Sequence, residues 1–195
     1  MAIPSPLNVI LIRHGQTTGN RDGVAQGQTD TPLTPEGVNS TLIKAGKVGN
    51  MAFDKMYSSD LKRAVETVEI LRGVLPGLPQ VEYDPDLREI DFGDLSGKPK
   101  EEIMPQILLH KAYPGLRYPG GECGDDLWRR ATRFFNKLAN GGSSGPALVV
   151  THYGIMETAA RIFNLVLPDA PVHVGDEDVW KITLHGNFSA RLEVL

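Results

Sequence analysis

The sequence predicts an α/β fold, a layered sandwich around a mostly parallel sheet, on three observations. Two runs, Val9–Ile12 and Ala147–Val150, are continuously aliphatic rather than alternating, the pattern of strands buried on both faces. Stretches with apolar residues at three- and four-residue spacing separate them, as helices do in a strand-helix alternation. Gly and Pro together number 35 and cluster between these segments.

In chain order, the first strand, Val9–Ile12, ends abruptly in Arg13, His14 and Gly15. Thr34 then caps a helix with Pro35 in its first position, and that helix is expected to carry Val38, Leu42 and Ala45 inward. A weaker strand spans Phe53 to Ser58. After Asp60 the stripe Leu61, Ala64, Val65, Val68, Leu71, Leu75 marks a second helix. Leu127, Ala131, Phe134, Phe135 and Leu138 mark a third, and Ile155, Met156, Ala159, Ile162, Phe163 and Val166 a fourth. Between these two lies Ala147–Val150, entered through the loop-like run from Asn140 to Pro146 and ending in Thr151, His152, Tyr153, Gly154. Val179–Leu184 and Ser189–Val194 read as a late hairpin turning at Gly186-Asn187. The segment Pro114 to Gly124 reads as a lid or ordered loop over a site.

The 195 residues are expected to form one domain, 1–195. A hydrophobic content of 41% with a net charge of −4 excludes intrinsic disorder and argues against binding nucleic acid or anionic lipid by bulk charge. Cys123, the single cysteine, excludes an internal disulfide framework and a multi-cysteine zinc site. The first residues lack a basic, apolar leader, so a soluble cytoplasmic protein, with no nucleic-acid or membrane partner, is the expectation.

Both buried strands stop at a histidine. Ligands of open α/β sheets sit beyond the carboxyl ends of the strands, so His14 and His152 are candidates for one pocket. Arg13 strengthens this, because a guanidinium closing an apolar strand is costly to bury unless an anion meets it. Arg63, off the apolar stripe of its helix, reads by itself as solvated. Two arginines and two histidines at one sheet edge nevertheless describe a phosphoryl site, since forked guanidinium donors match its oxygens. A neutral imidazole can attack phosphorus, and the leaving alkoxide then needs a proton. Glu89 is the better candidate acid, with Asp91 in reserve, its proton retained by nearby phosphate charge.

These residues resemble the histidine phosphatase superfamily, in the branch of the cofactor-dependent phosphoglycerate mutases and related small phosphatases. The resemblance rests on Leu11-Ile12-Arg13-His14-Gly15-Gln16-Thr17-Thr18-Gly19-Asn20, on Gln26-Gly27, on Asp30 to Gly37, and on Ser58 to Thr67. It continues through Glu89 with Phe92-Gly93, Pro119 to Glu122, and Thr151-His152-Tyr153-Gly154, all in family order. It implies a three-layer α/β/α sandwich of the phosphoglycerate mutase type, with a small lid insertion at about residues 97–124. It further implies His14 as the phosphorylated nucleophile, Arg13, Arg63 and His152 gripping the phosphoryl oxygens, and Glu89 as acid and base. Asn20, Thr17, Gln26, Gly27 and Tyr153 fall on the substrate side. No metal and no cofactor is implied, and the partner is a small phosphoester; the oligomeric state, a homodimer included, stays open.

Departures from the mutase pattern favour hydrolysis. Mutases resembling this chain carry a Glu-Arg-His-Tyr-Gly block to hold the substrate carboxylate, and here it reads Glu89-Ile90-Asp91-Phe92-Gly93. Only 21 residues separate Gly97 from Pro119, too few for the mutases' long basic insertion. Each lost charge-assisted bond removes roughly 1.5 to 3 kcal/mol of grip. The sequence thus reads as a metal-independent phosphomonoesterase for a small phosphorylated metabolite. A phosphoglycerate mutase and a phosphohistidine protein phosphatase are the alternatives. Lys98, Lys100, Lys111, Arg117 and Tyr118 lie in or near the lid; each taken singly reads more readily as solvated surface than as a contact to a second anionic group.

Overall fold

A computed structural model describes residues 6–141, 145–165, 174–185 and 190–195. Its centre is a six-stranded sheet in the order β3-β2-β4-β1-β5-β6. The strands are β1 (Leu7–Arg13), β2 (Lys55–Ser58), β3 (Val81–Tyr83), β4 (Ala147–Thr151), β5 (Val179–Leu184) and β6 (Ala190–Val194). β3, β2, β4 and β1 run parallel; β5 pairs antiparallel with β1, and β6 antiparallel with β5. The hairpin expected late in the chain is β5-β6, and its Gly186-Asn187 turn lies outside the described residues, as does Val166.

The helices are α1 (Thr18–Arg21), α2 (Pro35–Val48), α3 (Lys62–Val74), α4 (Lys100–Ala112), α5 (Gly124–Asn140) and α6 (Tyr153–Ile162). One face of the sheet presents Val9, Leu11, Ala147 and Val149 to α5 and α6; the other presents Ile10, Ile12, Leu148 and Val150 to α2 and α3. These are the three layers, and they explain why both runs are aliphatic at every position. Trp180, in β5, is completely buried. Among the described residues no helix is long and apolar enough to cross a membrane.

One expectation requires correction, and two readings gain detail. In α2, Val38 and Leu42 are exposed, and the inward face is Gly37, Thr41, Lys44, Ala45 and Val48. The helical period is right but displaced by one residue. A Cβ on Gly37 would lie 2.1 Å from the Gln16 carbonyl oxygen, so the helix must turn its glycine, not Val38, to the loop after β1. Arg63, which reads as solvated only when taken by itself, is buried, for reasons given below. The segment 97–124, expected as a lid, carries in its first half α4, which shows no one-sided apolar stripe and contains Pro105, the two features that conceal a helix in sequence.

Gly93, at φ +53°, packs directly on the Pro119–Gly121 backbone: a Cβ there would stand 2.1 Å from the Pro119 carbonyl oxygen. Leu11 lies at the centre of β1 with neighbours on both flanks. Leu11→Ala is expected to cost about 2–5 kcal/mol in urea denaturation, the usual range for a buried leucine whose site cannot collapse.

Candidate active site

The parallel register of β1 and β4 builds the site. Arg13 pairs with Thr151, and the His14 N–H donates to the Thr151 carbonyl at 2.9 Å, so His14 and His152 leave their strands side by side. Their ring centroids are 5.0 Å apart. β2 adds the third strand end, where the Ser59 N–H donates to the Val150 carbonyl.

His14 Nδ1 lies 2.7 Å from the Gly15 carbonyl oxygen. The carbonyl accepts only, so Nδ1 carries the proton and Nε2 keeps its lone pair. Arg63 Nε donates to that Nε2 at 3.3 Å. Burial, then the guanidiniums of Arg63 and Arg13, hold the His14 pKa well below the ordinary histidine value. His152 is depressed in the same sense, by burial first and Arg63 second. Its Nε2 meets Ser59 Oγ at 2.8 Å, while its Nδ1 is buried without a hydrogen-bond partner among the described residues, as is Arg13 Nε.

Arg63 is buried because its donors are used. Nη1 donates to the Thr29 carbonyl at 2.7 Å and to Asp30 Oδ1 at 2.8 Å, and Nη2 to the Gly27 carbonyl at 2.7 Å. Asp30 also accepts from the Lys62 and Arg63 backbone N–H groups in the first turn of α3, fixing the loop that holds the guanidinium.

Glu89 lines the same cavity, whose volume is about 670 Å³. Its Oε2 accepts from the Gly154 N–H at 3.2 Å in the first turn of α6, and its Oε1 from the Ile90 N–H at 2.9 Å. Behind it stands Arg130, which sequence reasoning missed. This buried arginine pairs with Glu122 through Nε and Nη2, at 2.9 Å each. It also donates to the carbonyls of Asp86, Arg88 and Glu89, so it fixes the backbone carrying the carboxylate. The sequence carries no signal for this pairing, because Glu122 lies in the loop before α5 and Arg130 two turns into that helix. Asp91, the reserve acid, is turned away: its Oδ1 accepts from the Gly93 N–H at 2.9 Å and it does not line the cavity.

Asn20, Gln26, Gly27 and Tyr153 line the cavity. Thr17 does not. Its hydroxyl donates to Asn20 Oδ1 and accepts from Gln26 Nε2 at 2.8 Å, so it orients those two amides from behind. With Oδ1 also accepting from the Thr17 N–H, the Asn20 amide group is left to donate elsewhere. Of the lid residues, Lys100, Lys111 and Tyr118 line the cavity and Lys98 and Arg117 do not. Lys111 is matched by Glu157 at 3.0 Å, and Arg117 by Asp126 at 2.5 Å. Tyr118 stacks on His110 with centroids 3.8 Å apart, and burial pushes its hydroxyl up to about 12.

A neutral His14 among arginines on the cavity wall, with His152 buried beside it behind the lining and the Glu89 carboxylate in the same cavity, matches what the comparisons find. The model of the histidine phosphatase superfamily (branch 1) matches residues 9–176. The chain belongs to the histidine phosphatase superfamily. It is 32% identical over 151 residues to the probable phosphoglycerate mutase GpmB of Yersinia pestis, covering 75% of this chain and 69% of that protein. Among solved structures it is similar to YhfR of Bacillus stearothermophilus, with a TM-score of 0.80 at 28% identity, covering 96% of both chains. The alpha-ribazole phosphatase of Shigella flexneri aligns with a TM-score of 0.79 at 26% identity, over 96% of this chain and 95% of that one. A histidine phosphatase of this branch is a phosphatase or a mutase.

Both depressed histidines couple folding to pH. The unfolded chain binds their protons below about pH 6.5 while the native state does not, so native stability is complete above that value. It is expected to fall on acidification by about 1.4 kcal/mol per pH unit for each histidine, until the native pKa values are reached. Chemical denaturation between pH 7.5 and 5 measures the slope, and His152→Gln should reduce it. A second expectation concerns Gly154, where a Cβ would stand 2.1 Å from Glu89 Oε1. Gly154→Ala should displace the carboxylate, lowering kcat at least about tenfold with inorganic phosphate binding retained, as separate kinetic and binding measurements would show.

Proposed function

We propose that the protein is a metal-independent phosphomonoesterase acting through a phosphohistidine at His14 on a small phosphorylated metabolite. The observation that carries this reading is the fixed tautomer of His14: Nδ1–H is held by the Gly15 carbonyl, and the lone pair on Nε2 lies in the field of Arg63 and Arg13. As the phosphoryl group arrives, Arg63 Nε turns its hydrogen bond from that lone pair to a phosphoryl oxygen; the freed lone pair attacks phosphorus, and the P–O bond to the leaving group breaks. Glu89, as the carboxylic acid, passes its proton to the departing oxygen. Arg13, Arg63 and the His152 Nδ1 side of the site meet the phosphoryl oxygens, where transition-state charge collects. Glu89, now a carboxylate, takes a proton from water, whose oxygen attacks the phosphohistidine; the P–N bond breaks and its electron pair returns to Nε2.

Water is the acceptor in this reading because the wall lacks a carboxylate clamp. Ile90 occupies the cavity wall beside Glu89, and Asp91 is folded into a turn. The Lys111 and Arg161 cations are both matched by Glu157. Much of the remaining wall is apolar or aromatic, including Phe92, Ile107, Tyr118, Leu127 and Trp128, and this suits an uncharged or aromatic leaving group. The name of the Shigella flexneri structure, an alpha-ribazole phosphatase, supports hydrolysis. A mutase reading draws on the name of the Yersinia pestis relative and on Lys100, which lines the cavity with no ion pair within 4 Å among the described residues, Glu89 and Asp176 acting on it only at longer range.

Phosphate release from a panel of esters (p-nitrophenyl phosphate, 3-phosphoglycerate, phosphoserine, a sugar phosphate, a nucleoside monophosphate) tests the proposal, with EDTA present and His14→Ala in parallel. Release that EDTA leaves intact and His14→Ala abolishes is expected. Interconversion of 2- and 3-phosphoglycerate without net release would replace the phosphatase with the mutase.

A further inference from the structure

Arg13 is held from two directions, and neither contact belongs to the motifs read in the sequence. Its backbone carbonyl accepts a hydrogen bond from Lys44 Nζ at 2.8 Å, and its Nη1 donates to Asp176 Oδ1 at 2.9 Å. The Lys44 side chain is fully buried under the strand end, and burial, with Arg13 adding repulsion, brings its pKa down to about 8.

Asp176 reaches Arg13 because β5 runs antiparallel to β1. Ile12 pairs with Val179, so the turn entering β5 arrives where β1 ends. Asp178 closes that turn: its Oδ2 accepts from the Gly175 N–H at 2.6 Å. Lys47, one helical turn beyond Lys44 on α2, donates to the Glu177 carbonyl at 2.9 Å and to the Leu195 carbonyl at 2.9 Å. The same helix therefore fixes the backbone of Arg13 through Lys44 and the turn bearing Asp176 through Lys47. Arg13 itself is only 16% exposed, and its buried Nε has no partner among the described residues.

We infer that Asp176 is a positioning residue. By accepting from Nη1 it sets the rotation of the Arg13 guanidinium, so that the remaining donors face the phosphoryl group beside His14 Nε2. This rests on reading Arg13 as a phosphoryl grip. The contact is a hydrogen bond of fixed direction rather than a store of stability, since the Asp176 side chain is 48% exposed and ion pairs with so exposed a partner contribute little to folding. Holding the fork in place matters to the reaction because misplacing a contact to the transition state by about 1 Å can cost about a hundredfold.

The experiment compares wild type, Asp176→Ala and Asp176→Asn in two assays: steady-state phosphate release from p-nitrophenyl phosphate, and calorimetric titration with inorganic phosphate. Asp176→Ala should lower kcat/KM about tenfold and weaken phosphate binding, while moving the thermal midpoint by less than about 4 °C. Asp176→Asn keeps an acceptor oxygen and should recover both to within about threefold of wild type. The inference is overturned if Asp176→Ala stays within about twofold of wild type in both assays, or if Asp176→Asn is as damaged as Asp176→Ala. If wild type releases no phosphate from any ester, it is the phosphatase reading that fails, and the phosphate titration alone then decides whether Asp176 sets Arg13.

Discussion

Everything at this site hangs on the parallel pairing of β1 with β4. Because Arg13 pairs with Thr151, the two strands give out at the same level and deliver His14 and His152 to one point above the sheet. A slip of one residue would send every side chain of one strand to the opposite layer, taking Leu11 or Val149 out of the α5-α6 core. The aliphatic runs thus fix the chemistry indirectly: they hold the register, and the register places the histidines.

The second constraint is electrostatic. Arg13, Arg63 and Lys44 bring three cations to a buried strand end. The fold accommodates them with carbonyls and a few carboxylates: Gly27, Thr29 and Asp30 on Arg63, the Arg13 carbonyl on Lys44, Asp176 on Arg13. Positive charge remains, and the histidines respond by staying neutral. An environment that would grip a phosphoryl group is therefore also the one that keeps its nucleophile unprotonated. Arg130 solves the parallel problem on the opposite wall, where its pairing with Glu122 turns a buried guanidinium into the support of the Glu89 backbone.

The sequence by itself determined the layered fold, both strands that end in histidine, the stripes of α3, α5 and α6, and the membership of His14, Arg13, Glu89 and His152 in one motif set. These signals are local: an aliphatic run, a 3.6-residue period, or a short block whose neighbours in the chain are its neighbours in space. Tertiary structure alone decided the rest. The inward face of α2 was set by close approach at Gly37 rather than by its apolar residues, and the burial of Arg63 by acceptors more than thirty residues away in sequence. α4 was hidden because a helix packed between a cavity and solvent need not be one-sided. The supports of the site, Arg130, Lys44 and Asp176, were illegible for a common reason. Each is an ordinary charged residue whose meaning lies in a partner brought to it by strand order and helix packing, and no local pattern encodes that pairing.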